Sequence, residues 1–121
     1  MNDIVLVIED EAIIGELVKF NLMIRKIKCS VATTGQEGIE MFESQTPSIV
    51  LLHIRLPDID GWEVCKKIKQ KNPESIVIFM TAATQVKDRE IAEKVGADDF
   101  IEKPFDVNDL VSMVNKYRVS R

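Results

Sequence analysis

The sequence predicts an α/β protein: a five-stranded parallel sheet, doubly wound, with helices on both faces. Three observations carry this. Ile4–Ile8, Ser48–Leu52 and Ile76–Met80 are short, continuous apolar runs rich in β-branched residues, the pattern of strands buried on both sides. The segments between them place apolar residues at helical spacing over about 10–15 residues. Strand and helix then alternate five times along the chain, which argues for βα units joined by right-handed crossovers.

The elements follow in order. Ile4–Ile8 ends in the acids Glu9, Asp10 and Glu11. Residues 12–25 form a first helix, on which Ile13, Leu17, Phe20 and Ile24 make one apolar stripe. Cys29–Ala32 is a short second strand. Gly35 opens a second helix with Ile39 and Phe42 on one side. Pro47 leads into the third strand, and Leu56–Gly61 carries the turn formers of a loop. Trp62, Cys65, Ile68 and Lys69 belong to a third helix, stopped at Asn72-Pro73. A fourth helix covers about 85–95 and closes at Gly96, a natural C-cap. Asp99–Ile101 is the fifth strand, and Lys103-Pro104-Phe105 a loop. Asp106 or Asn108 caps a last helix with Leu110, Val111, Val114 and Tyr117 on its stripe.

Composition narrows the function classes. With 121 residues, 45% hydrophobic and 30% charged, the chain is one soluble globular domain, able to bury a core without staples. A net charge of −4 and scattered Lys and Arg exclude a broad nucleic-acid-binding field. No apolar run approaches the roughly 18 residues that cross a bilayer, and the acidic N-terminal stretch is unlike a secretion signal. A cytoplasmic protein without membrane or nucleic-acid partners is expected. Cys29 and Cys65, far apart and outside any CxxC, read as buried thiols. After the last helix only Val119-Ser120-Arg121 follow, so residues 1–121 read as a single domain without an attached output domain.

In an open parallel sheet, ligands sit beyond the carboxyl ends of the strands. Glu9-Asp10-Glu11, His53, Thr81-Ala82-Ala83 and Lys103-Pro104 follow four of the five strands there. Adjacent carboxylates bind a hard cation, a lysine supplies a point charge for phosphate, and a threonine hydroxyl bonds a phosphoryl oxygen. Each residue alone is unremarkable; an acidic strand end is most often a solvated turn. Their joint placement at successive strand ends points to a phosphoryl and divalent-cation site.

On these segments the chain resembles the bacterial response-regulator receiver family of chemotaxis type, from about Ile4 to Tyr117. Val7–Glu11, Thr33–Gly38, Pro47–Leu52, Leu56–Gly61, Met80–Ala82 and Gly96–Phe105 carry the likeness. The resemblance implies a flavodoxin-like (βα)5 fold with strand order 2-1-3-4-5. It implies a two-component receiver that docks on a histidine kinase or phosphotransfer protein through the first helix near Ile13, Ile14 and Leu17. It also implies a homodimer face on helices 4 and 5. It makes Glu9 and Asp10 the magnesium-holding pair, Asp10 directly and Glu9 through water, with the backbone carbonyl of Arg55 completing the shell. Thr81 becomes the phosphate-reporting hydroxyl, Phe100 the aromatic switch, and Lys103 the phosphate-binding lysine, followed by Pro104 across a cis bond. No residue is assigned as catalytic.

Two positions depart from the family pattern. Lys26 stands where the family often ends its helix with glycine. His53 stands at the phosphoacceptor aspartate. Imidazole cannot form an acyl phosphate, and its nitrogen suits Zn²⁺ or Cu²⁺ better than Mg²⁺, so Mg²⁺ binding is expected to be weakened. Four readings of His53 stand open: an introduced substitution, since every other site residue is kept; a natural receiver that works without phosphorylation; a histidine phosphorylated on nitrogen or bound to a transition metal; and a structural histidine satisfied by Asp10. Among other function classes, a small metal-dependent phosphatase or hydrolase on the same fold is the alternative. The absence of a GxSxG elbow and of a glycine-rich phosphate loop weighs against it. The acidic loop after the first strand weighs against a flavin binder.

Overall fold

The computed structural model describes residues 2–81 and 86–119. The chain runs β1 (Asn2–Ile8), α1 (Ala12–Met23), β2 (Lys28–Ala32), α2 (Gly35–Gln45), β3 (Pro47–His53), α3 (Gly61–Lys71), β4 (Ile76–Thr81), α4 (Val86–Lys94), β5 (Asp99–Glu102) and α5 (Val107–Val119). All strand pairs are parallel and the order is β2-β1-β3-β4-β5. The predicted α/β fold with order 2-1-3-4-5 is therefore the one observed. Ala82, Ala83 and the expected start of the fourth helix at position 85 lie outside the described residues, as do Ser120 and Arg121.

The period-two alternation of strands divides the core in two. Leu6 and Ile8 of β1, Val50 and Leu52 of β3, and Val77 and Phe79 of β4 meet Ile39, Phe42, Val64, Cys65, Ile68 and Ala92 from α2, α3 and α4. The alternate residues Val5, Val7, Ile49, Leu51, Ile78 and Met80 face Val18 and Leu22 of α1 and Leu110, Val111 and Val114 of α5. Both faces of the three central strands are thus dry, as their uninterrupted hydrophobicity requires.

The apolar stripe Ile13, Leu17, Phe20 and Ile24 is not the buried face of α1. Gly15, Val18 and Leu22 are buried, while Ile13 is 85% exposed, Phe20 63%, Ile24 58% and Leu17 47%. The helix is apolar nearly all round, so two stripes fit a period of 3.6. Packing chooses between them: a Cβ on Gly15 would lie 3.0 Å from Val31 Cγ1, so the face with Gly15 is the one that approaches β2 closely.

The turn after α1 carries the departure at Lys26. Ile27 N–H donates to Leu22 O (3.0 Å) and Lys26 N–H to Met23 O (2.9 Å), the paired bonds of a Schellman end. That geometry puts Lys26 at φ 63°, the left-handed region usually given to glycine.

Candidate functional site

The strand ends converge as their sequence positions anticipate. Glu9 follows β1 directly, and its N–H donates to Ala32 O (2.9 Å), carrying the β1–β2 pairing one residue past the strand. The side chain is fully buried. Its Oε1 accepts from Lys103 Nζ, and its Oε2 accepts from Glu11 N–H (3.1 Å). A buried carboxylate is tolerable only with such partners. Lys103 is placed by its own N–H, which donates to Thr81 O (2.7 Å). Its ammonium also lies 4.0 Å from Glu11 Oε1. The Lys103–Pro104 bond is cis.

His53 is the last residue of β3 and sits between these groups. Its Nδ1 is 3.1 Å from Met80 O and 3.3 Å from Lys103 Nζ. These two contacts cannot both be hydrogen bonds, because a carbonyl only accepts and an ammonium only donates. The Met80 contact is the shorter, its carbonyl can only accept, and Lys103 already donates to Glu9. We therefore assign the proton to Nδ1, donated to Met80 O. Glu9 Oε1, 3.8 Å from Nδ1, offsets the nearby ammonium. The assignment leaves Nε2 as the nitrogen with a lone pair, 3.9 Å from Asp10 Oδ1. Glu9, Asp10 and His53 each bring a ligand-type atom within 4.8 Å of the others.

Thr81 ends β4, is buried, and pairs with Glu102 across the sheet. Arg55 lies exposed in the loop after β3. Phe100 is half-buried on β5, with the Arg89 guanidinium 4.9 Å from its ring centre. Arg89 in turn pairs with Glu102. Between α1 and the Lys103–Phe105 loop runs a groove of about 400 Å³, lined by Glu11, Ile14, Leu17, Lys103, Pro104 and Phe105.

Local sequence reading missed two supports of the site. Gly61 N–H donates to Ile54 O (2.7 Å), and a Cβ there would lie 2.5 Å from His53 O. The glycine lets the loop fold back on the strand end that carries His53. Asp58, read as a turn former, caps α2: it accepts from Gly35 N–H and Gln36 N–H, both at 2.8 Å. Burial works to raise its pKa, but these N–H donors outweigh it and hold the carboxyl below its usual range. The contact spans over twenty residues and leaves no local signal. The neighbouring Thr34 cap, which accepts from Glu37 N–H (3.1 Å), is legible as Thr-x-x-Glu.

The model of the response regulator receiver domain matches residues 5–115. The transcriptional regulatory protein TrcR of Mycobacterium tuberculosis is 36% identical over 108 residues, covering 89% of this chain and 42% of TrcR. The chain thus spans less than half of that relative. The receiver domain of the Francisella response regulator 1452 superposes with a TM-score of 0.91 at 26% identity, over 99% of this chain and 100% of that one. The non-phosphorylated receiver domain of HemR from Leptospira biflexa gives 0.89 at 27% identity, over 96% and 94%.

Proposed function

This chain belongs to the response regulator receiver domain family, and on that premise we propose that it docks on a histidine kinase or phosphotransfer protein without taking an acyl phosphate itself. Receiver domains are modules of two-component signalling rather than enzymes in the ordinary sense. The single observation that carries the proposal is His53: an imidazole, not a carboxylate, ends β3 between Glu9, Asp10 and Lys103.

The docking half of the reading is supported by the exposed apolar face of α1. Ile13, Leu17 and Phe20 face solvent beside the groove that ends at Lys103–Phe105. Exposed apolar area of this kind marks an interaction surface. Among the described residues no helix is long and apolar enough to cross a membrane.

Receiver domains generally bind Mg²⁺ at the acidic pocket. By resemblance Glu9, Asp10 and the Arg55 carbonyl would hold it, while Lys103 and Glu11 N–H already engage the two Glu9 oxygens. Mg²⁺ affinity is expected to be low, because a ring nitrogen replaces one anionic oxygen donor.

The test is restoration. The chain and its His53→Asp variant are incubated with Mg²⁺ and acetyl phosphate and examined by mass spectrometry. The variant is expected to gain a phosphoryl group at position 53: three carboxylates then form an oxygen cage for Mg²⁺, and the metal and Lys103 neutralise the transferring phosphoryl group. Thr81 is the candidate partner of a phosphoryl oxygen. The unsubstituted chain is expected to gain none and to bind its phosphotransfer partner equally with or without phosphodonor. A hydroxylamine-labile phosphoryl group on the unsubstituted chain overturns the proposal. Metal-dependent turnover of a phosphomonoester, abolished by Asp10→Asn, would favour the hydrolase reading instead.

A further inference from the structure

The donor set at the strand ends does not fit the magnesium ion that receiver domains generally hold. Mg²⁺ demands near-octahedral oxygen ligation. Here a ring nitrogen stands in the middle of the cluster, and both Glu9 oxygens are engaged, one by Lys103 and the other by Glu11 N–H. One imidazole and one carboxylate form instead the donor pair of a borderline transition cation.

We propose that His53 Nε2 and Asp10, backed by the buried Glu9, form a binding site for a divalent transition cation of the Zn²⁺ class. Three features carry this. The Nδ1–H bond to Met80 O fixes the tautomer that leaves a lone pair on Nε2, and a backbone carbonyl is a common outer partner of metal-bound histidine. That lone pair is on the nitrogen nearest Asp10, whose Oδ1 lies 3.9 Å away; the His53 side chain is 12% exposed and the Asp10 side chain about one-third exposed, so an ion would approach from the Asp10 side. A tetrahedral cation with bonds of about 2.0–2.1 Å needs its two ligands to close by roughly half an ångström from that separation. The Lys103 ammonium is held by Glu9 and lies on the Nδ1 side of the ring, away from the nitrogen that would take the ion. The inference does not rest on docking or on phosphorylation.

The sole histidine of the chain makes the test direct. Metal-free, ¹⁵N-labelled protein is titrated with Zn²⁺ alone while the two ring nitrogens of His53 are followed by NMR. The expected result is a shift of Nε2 on binding, with Nδ1 remaining protonated. Calorimetry is expected to give Zn²⁺ an affinity at least about 100-fold above that of Mg²⁺. His53→Ala is expected to lose more than the about 10–100-fold that removal of an outer partner costs. His53→Asp is expected to shift the preference towards Mg²⁺. The double variant Cys29→Ser, Cys65→Ser is expected to bind Zn²⁺ as before. Ring nitrogens unmoved by saturating Zn²⁺, displacement of Zn²⁺ by an equal concentration of Mg²⁺, or loss of binding in the folded cysteine variant each overturn the proposal. Should His53→Ala fail to fold, the ring resonances of the unsubstituted chain decide alone.

Discussion

Two positions depend on what a single Cβ does. Lys26 holds φ 63°, where a side chain meets its own carbonyl and costs about 1–2 kcal/mol relative to the right-handed region. Lys26→Gly relieves this but frees the unfolded chain, so the net gain is expected at about 0.5–1 kcal/mol. A rise in urea midpoint at constant slope checks it; an unchanged or lower midpoint refutes it. Gly61 is the opposite case. A methyl group at Gly61 would fall 2.5 Å from His53 O and 2.7 Å from Ile54 O. Backbone cannot yield as a flexible side chain does, so Gly61→Ala is expected to cost about 1–3 kcal/mol. The amide signal of His53 should shift with it, because the loop presses on that strand end.

At the level of elements, α1 and α2 show how packing overrides local pattern. The two apolar stripes of α1 predict opposite costs. Leu22→Ala should destabilise by about 2–5 kcal/mol, since Leu22 is fully enclosed. Phe20→Ala should change stability by no more than about 0.5 kcal/mol while weakening any partner held by that face. Comparable stability losses in the two variants would contradict the placement of the helix. The N-terminus of α2 is held by Thr34 and, from a distant loop, by Asp58. Asp58→Ala should cost about 1 kcal/mol, the usual effect of a lost cap. The folded pKa of Asp58 is depressed, so its contribution is fully present above the ordinary carboxylate value and is lost as pH falls through the folded one. The difference in stability between Asp58→Ala and the parent should therefore shrink in acid; a difference constant from neutral to strongly acid pH would rule out the charged cap.

For the molecule as a whole, the sheet separates two cores, and each contains one free cysteine: Cys65 on the α3 side and Cys29 on the α1 side. Burial pushes the Cys29 thiol up to about 12 and the Cys65 thiol up to about 11, so neither is a thiolate in the folded state near neutral pH. Labelling then requires opening. In variants retaining one cysteine each, a thiol reagent should report the same opening free energy from both cores, equal to the global value, if the three shared strands bind the cores into one cooperative unit. Faster labelling of one thiol would show that its helical layer opens separately.

The strands were legible because buried parallel strands leave continuous runs such as Ile4–Ile8 and Ile76–Met80, a pattern written residue by residue. The converging strand ends were legible too, since parallel topology carries the residues after each run to one edge of the sheet. The identity of His53 was plain from the chain; what its ring does was not. Its ring lies against Met80 O, Glu9, Asp10 and Lys103, contacts that link four different strand ends. The same limit hid the buried face of α1 and the Asp58 cap. A local pattern records how often apolar or polar groups recur, and α1 has enough apolar groups for two faces. Only the close approach of Gly15 to Val31, a contact between elements, selects one of them. The sequence alone determined the order of elements and the chemistry available at the strand ends. Tertiary packing decided which faces are dry, which donors are already engaged, and which nitrogen of His53 is free, because burial and hydrogen-bond geometry depend on neighbours distant along the chain.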